Sequence, residues 1–316
     1  MKKKLLAIAL STIGAVGAVQ AGAVAQSSLQ ILGLVLSNAA NGVALTQAQF
    51  DVLNIVDTTN LSPSQNGVFN SYTNSTVGGA PLALTVVCVP VACPGALLPG
   101  TPFANATTPA TVNGSLAASS LDGAPINGLP FALGVNARTN AVSERTTAGT
   151  ANTTSSVSAA VQFSFSPVSD IAVRIDFNAI EHLLANLNSP INALAGAGWN
   201  VTIVDQGTGL SVFDWTPNGL AGGITGGTEQ LDPCSLSNSL TAFGSSANLT
   251  YDCSGAFRAS TNLLLAANTY FVSITHQNQA NVLVAQAVPE PSMLSLLGLA
   301  LAGIGFTTRR KSKVKA

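Results

Sequence analysis

Two histidines, thirteen carboxylates and four cysteines are the side chains of this 316-residue chain with chemistry beyond packing. A hydrolase needs a nucleophile beside a base. His182 follows Glu181 directly, and His276 continues the face of Tyr270 on an expected strand. Neither sits in a G-x-S-x-G turn or an H-E-x-x-H helix, so neither is framed as a catalytic base. Glycoside hydrolysis asks only for two carboxylates about 5–10 Å apart. Asp170, Asp176 and Glu181 are near one another in the chain, but strand alternation and a helix are expected to separate them. Asp205, Asp214, Asp232 and Asp252 stand near Gly or Asn turns, surroundings that suit calcium, although no EF-hand loop frames them. No cofactor is expected, with calcium the one candidate. Trp199, Trp215, Tyr251 and Tyr270 are the aromatics that could stack on sugar rings. Trp215, in Phe213-Asp-Trp-Thr-Pro217, reads as the more exposed.

The cysteines fall into two local pairs. Cys88 and Cys93 are five residues apart in a Pro-flanked loop, and Cys234 and Cys253 bracket a Ser/Asn-rich segment. Four cysteines allow three pairings, of which Cys88–Cys93 with Cys234–Cys253 is the expected one. An oxidising compartment favours disulfides over zinc, which would need further ligands at short spacing.

Charge points the same way. Only 8% of residues are charged, against about 25% in ordinary domains. The twelve basic residues are clustered: Lys2, Lys3 and Lys4 at one end, Arg309, Arg310, Lys311, Lys313 and Lys315 at the other. Between them, with Glu290 of the tail set aside, lie four arginines and twelve carboxylates, a net of 4 − 12 = −8. That excludes a nucleic-acid binder working through a basic stripe.

The two ends read as addresses. Lys2–Lys4, an apolar run from Leu5 to Val19 and then small residues form the order of a secretory signal peptide over residues 1–25. Val19-Gln20-Ala21 and Ala23-Val24-Ala25 both fit the cleavage rule, and cleavage after Ala25 is expected. At the other end, Pro289-Glu290-Pro291 precedes an apolar run from Met293 to Phe306 and the basic cluster Arg309-Arg310-Lys311. That run predicts a short transmembrane helix with its basic flank left in the cytoplasm.

This tripartite tail, spanning residues 288–316, resembles the PEP-CTERM sorting signal of exported bacterial proteins. The resemblance implies recognition by an exosortase-type membrane protease, with Pro289, Glu290, Pro291, Arg309, Arg310 and Lys311 as the motif. It also implies a chain anchored transiently in the inner membrane, then delivered to the cell surface or the extracellular space. It further implies a host that makes exopolysaccharide or biofilm. The likeness covers the tail and says nothing of the body.

The elements that would position any chemistry lie between these ends. Five Asn-Gly pairs, at Asn41, Asn66, Asn113, Asn127 and Asn218, suit tight turns with positive φ. Period-two runs cover Val161–Phe165, Ile171–Phe177, Trp199–Ile203 and Tyr270–Ile274. Ser166–Asp170 reads as the hairpin loop between the first two. Ile180, Leu183, Leu184, Leu187, Ile191 and Leu194 follow helical spacing, with Asn178 and Glu181 as a capping box. Residues 104–160, rich in Ala, Thr, Ser, Asn and Gly, read as long loops, weak strands or a linker.

The fold expected is therefore mainly β: an antiparallel β-sandwich with one short amphipathic helix, plus the apolar helices of the signal and the tail. A soft boundary separates an Asn/Ser/Thr/Gly-rich region, 26–150, from a sandwich region, 151–287. The function expected is that of a non-enzymatic surface or matrix protein associated with exopolysaccharide. The alternatives are a carbohydrate-binding module and a secreted hydrolase.

Overall fold

A computed structural model of the chain describes residues 22–51, 55–78, 80–90, 113–129, 131–145, 152–187, 191–244 and 247–284. The expected apolar helices of the signal and tail, and the sorting residues from Pro289 to Lys311, lie outside them. So does Cys93.

Sixteen strands follow one another: β1 (Ala23–Asn38), β2 (Val56–Gln65), β3 (Val68–Phe69), β4 (Tyr72–Val77), β5 (Leu82–Val89), β6 (Gly114–Asp122), β7 (Val135–Arg145), β8 (Thr153–Phe165), β9 (Val173–Leu187), β10 (Ile191–Asp205), β11 (Ser211–Trp215), β12 (Ile224–Thr225), β13 (Gly227–Glu229), β14 (Asn238–Ala242), β15 (Ala247–Thr261) and β16 (Tyr270–Val284). One sheet has the order β13-β15-β9-β1-β7-β6-β5. The other runs β12-β11-β10-β16-β8-β2-β3, with β14 on β10 and β4 on β2. The strand pairings are antiparallel, as expected for a sandwich. The first sheet holds strands from both sides of residue 150.

Alternation explains the long strands. In β8 buried and half-buried residues alternate from Thr153 to Phe165 almost without a break, and each strand turns one face to the other sheet. The Asn66-Gly67 pair closes the β2–β3 hairpin with φ of 55° and 77°. Both values lie in the left-handed region that a two-residue type I′ turn requires.

Two local expectations are corrected. The amphipathic helix over Ile180–Leu194 does not form. Its residues make the end of β9 and the start of β10. The adjacent pair Leu183-Leu184 created the helical spacing, yet the two side chains serve opposite faces. Leu183 turns toward the other sheet, and Leu184 packs with Val24, Leu116 and Val142 on the outer face. β9 is bonded along its length to β1 and to β15, and pairing on both sides overrides a weak helical preference. Likewise Ser166–Asp170 joins no hairpin, because β8 ends in one sheet and β9 begins in the other.

The interior changes character along the strands. At one end Phe163, Phe165, Phe177, Trp199, Phe213, Trp215, Phe257 and Tyr270 fill a large core. Phe177 lies 4.4 Å from Trp199 and stacks on Phe257 at 5.3 Å. At the other end eight of the thirteen clustered residues are alanines: Ala23, Ala25, Ala117, Ala141, Ala185, Ala193, Ala242 and Ala280.

Candidate functional site

The sequence offered four candidate constellations, and the fold uses each of them in its own framework. The aromatic platform is internal. Trp215 is fully buried, at 0% exposure, which corrects its reading as the exposed member. It sits on β11 against Phe177 and edge-on to Trp199. Its indole N–H donates to Glu229 Oε2 at 2.8 Å, so the polar edge of the ring is satisfied inside. Glu229 Oε1 accepts from the Gly222 and Gly223 amides. Among the described residues, Phe69 and Tyr72 are the exposed aromatic side chains at the β3–β4 edge.

The carboxylates do not converge. Asp176 and Glu181 lie on β9 with opposite parity, and alternation sends them to opposite faces. Asp176 accepts from Arg174 Nε at 2.6 Å and from Arg258 Nε at 2.5 Å. Glu181 points between the sheets at 1% exposure. Neither of its carboxylate oxygens has a partner among the described residues. Burial raises its pKa to about 8, because a low-dielectric interior penalises the charged form. Asp170 accepts from the Ala266 amide.

Of the four turn aspartates, Asp205 caps its own turn, Asp232 bridges two loops, and Asp214 and Asp252 lie within β11 and β15. Asp205 accepts from the Gly207 and Thr208 amides and from Asn268. Asp214 accepts from Thr202, and Asp232 from the Asn218 amide. Among the described residues, no group of three His, Cys, Asp or Glu side chains is placed to hold a metal ion.

One row escaped the sequence reading. Ser28, His182 and Asp252 lie directly opposite one another on β1, β9 and β15. His182 Nδ1 is 2.6 Å from Asp252 Oδ1. That is the order of a nucleophile–base–acid set, which needs a bond between the first two members. His182 Nε2 has no partner, and Asp252 is 73% exposed, where water screens it. The row is a polar ladder across a sheet face, visible only once the register is known.

His276 belongs to a second arrangement that spacing did not reveal. It reaches between the sheets to Thr139, whose hydroxyl donates to Asn278 Oδ1. Asn278 Nδ2 donates to Ser27 Oγ at 2.5 Å, and the Ser27 hydroxyl donates to the Gly196 carbonyl at 2.7 Å. Thr139 has one proton and spends it on Asn278, so His276 must present an N–H at Nε2. Burial pushes this imidazole down to about 3, which keeps it neutral and consistent with that role.

Cys234 and Cys253 form a disulfide. It ties the loop after β13 to β15. Cys88 is also disulfide-bonded.

The remaining functional feature is the place where the body meets its address. Ala23 of β1 pairs with Leu187, the last residue of β9, and Val284 of β16 pairs with Ile191, the first of β10. β9 and β10 are consecutive, so the first and last strands begin and end at the same end of the sandwich. That end is the alanine-rich one.

Comparison with known families finds the PEP-CTERM protein-sorting motif over residues 287–311. The match begins three residues after Val284, where β16 ends. The motif implies processing by an exosortase, a membrane protein, and export to the cell surface or the extracellular space. No curated protein matches the chain. Among solved structures, the crystal structure of the infectious bursal disease virus VP2 subviral particle aligns over 93% of each chain at 10% identity. Its TM-score of 0.09 carries no argument.

Proposed function

We propose that this protein is a non-enzymatic component of the cell surface or extracellular matrix, cut by an exosortase-type protease and held among the producer's own exopolysaccharide. The observation that carries this reading is the junction of the sorting motif to β16, three residues apart in sequence, with the described residues before it forming one β-sandwich. Supporting it, several side chains with chemical potential are engaged in the fold: Trp215 with Glu229, Asp176 with two arginines, and His276 in the inter-sheet chain. A body with four arginines, no lysine and twelve carboxylates presents a sparsely charged, mildly acidic surface that is otherwise polar and neutral, so few of its contacts are screened by salt. Among the described residues, the exposed aromatics available to stack on sugar rings are Phe69 and Tyr72 at the β3–β4 edge and Phe243 just after β14.

The test is fractionation of the native host with intact-mass measurement of each fraction. The wild-type body is expected at the surface or in the medium, ending near Pro289 and co-sedimenting with the polysaccharide. A variant with Pro289, Glu290 and Pro291 changed to alanine should stay in the membrane fraction with residues up to Ala316. Release of that variant at the wild-type level would sink the sorting reading. Release without polysaccharide association would sink the matrix reading.

A further inference from the structure

The amino-terminal leader carries two positions where small residues satisfy the cleavage rule, after Ala21 and after Ala25. We propose that the leader is removed after Ala21, so that the mature body begins at Gly22.

The register of β1 carries this assignment. This strand is internal to its sheet, with β7 on one side and β9 on the other. Ala23, Val24 and Ala25 pair with Arg145, Glu144 and Ser143 of β7, and with Leu187, Asn186 and Ala185 of β9. All three are buried. Ala23 and Ala25 belong to the alanine-rich core, and Val24 packs with Leu116, Val142 and Leu184 on the other face.

A cut after Ala25 would open a three-rung notch between β7 and β9. Backbone groups on both neighbours would then lose their partners inside a sheet, and unpaired buried backbone groups are costly. A cut after Ala21 leaves every one of these rungs intact.

A leader peptidase acts on the chain before it folds, so the folded register does not direct the cut. The register decides which of the two products folds with β1 complete. The proposal concerns the leader alone, and the fate of the tail has no bearing on it.

The full chain should be expressed with its leader in a secreting host and the amino terminus of the exported protein read by sequencing and mass. The expected first residue is Gly22. A chain beginning at Gln26, or at its cyclised pyroglutamyl form, overturns the proposal, as does a chain that keeps residue 1. A second arm replaces Ala21 with phenylalanine, too bulky for the position before the cut. Loss of the chain beginning at Gly22 and accumulation of the uncut precursor are expected. Unchanged removal of the leader in Ala21→Phe would overturn the assignment. This readout is taken on total protein and does not require the variant to fold.

Discussion

The two ends of the sandwich hold the same pair of sheets together by different means. The end around Phe177 uses volume: two tryptophans, a tyrosine and six phenylalanines fill it, with paired ring centroids 4.4–6.1 Å apart. The end around Ala141 uses closeness. Serine hydroxyls there cross from one sheet to backbone carbonyls of the other: Ser143 to Ala280 at 2.8 Å, Ser155 to Leu116 at 2.5 Å, and Ser115 to Ser64 at 2.9 Å. A serine side chain is too short to do this across the ordinary spacing of about 10 Å between packed sheets. Small residues let the backbones approach, and the approach lets short hydroxyls reach the second lone pair of carbonyls already used in the ladder. Between the two ends lies the chain of His276, Thr139, Asn278 and Ser27. One fold thus shows that a core can be made from bulk or from proximity, and that the change between them is made with a polar layer.

The contrast breaks most severely by deletion at the bulky end. Trp199→Ala should cost about 3–5 kcal/mol, since the ring it removes touches Phe177 and Trp215. Urea unfolding followed by circular dichroism would show the drop, and a loss under about 1 kcal/mol would mean this end is not the main apolar core. Insertion is the matching test at the close-packed end. Ala141→Leu should cost about 1–3 kcal/mol by forcing the sheets apart beside Ser27 and Ala117, its register neighbours. A neutral effect in the same assay would show that the sheets are not held close there.

A third test is the pH dependence introduced by Glu181. Its folded pKa of about 8 lies above the ordinary 4.5, so the folded state keeps a proton that the unfolded chain releases. Stability from this group is therefore present at acid pH and falls as pH rises between about 4.5 and 8. His276 works in the opposite sense lower down. Its folded value of about 3 lies below 6.5, so its contribution rises with pH across that interval. Above about pH 6.5 His276 no longer offsets Glu181. Glu181→Gln should match the wild type near pH 5 and exceed it at pH 8, read as the difference in thermal midpoint between the two proteins. Equal midpoints at pH 8 would show that Glu181 is ionised at no cost, and hence solvated. Asp57 and Glu144, both raised to about 7 by burial, titrate alike in wild type and variant and cancel in the comparison.

The same contrast explains what could be read in the sequence. Strands at the bulky end are legible, because Val161, Phe163 and Phe165 alternate with Gln162 and Ser164. At the close end the alternation carries no hydrophobic signal. Thr153, Ser155, Val157 and Ala159 are buried while Thr154, Ser156, Ser158 and Ala160 are half-buried or exposed, and the two sets have nearly the same composition. Residues 104–160 therefore read only as loops, weak strands or a linker, although β6, β7 and the first half of β8 lie among them. The false helix at Ile180 has a related cause, since β9 buries side chains on both faces near its end. Trp215 was misplaced because Pro217 and Asn218 suggested a turn, while the alternation of Phe213 with Trp215 already pointed inward. The Ser28–His182–Asp252 row and the inter-sheet chain depend on which strands are neighbours, which spacing along one chain does not encode. The tail is the opposite case: its three parts are contiguous, and sequence alone shows it.

Entry and exit of the polypeptide at one end of the sandwich has a mechanical consequence. A pull applied between Ala23 and Val284 would load β1 and β16 at the same end. It would open the serine-bridged seam first and then peel each strand away rung by rung. Strands loaded from opposite ends resist as a whole ladder in shear, whereas strands peeled from one end yield a rung at a time. Grasped at its two ends, this body is built to unzip under tension, with the aromatic core as the last part to open.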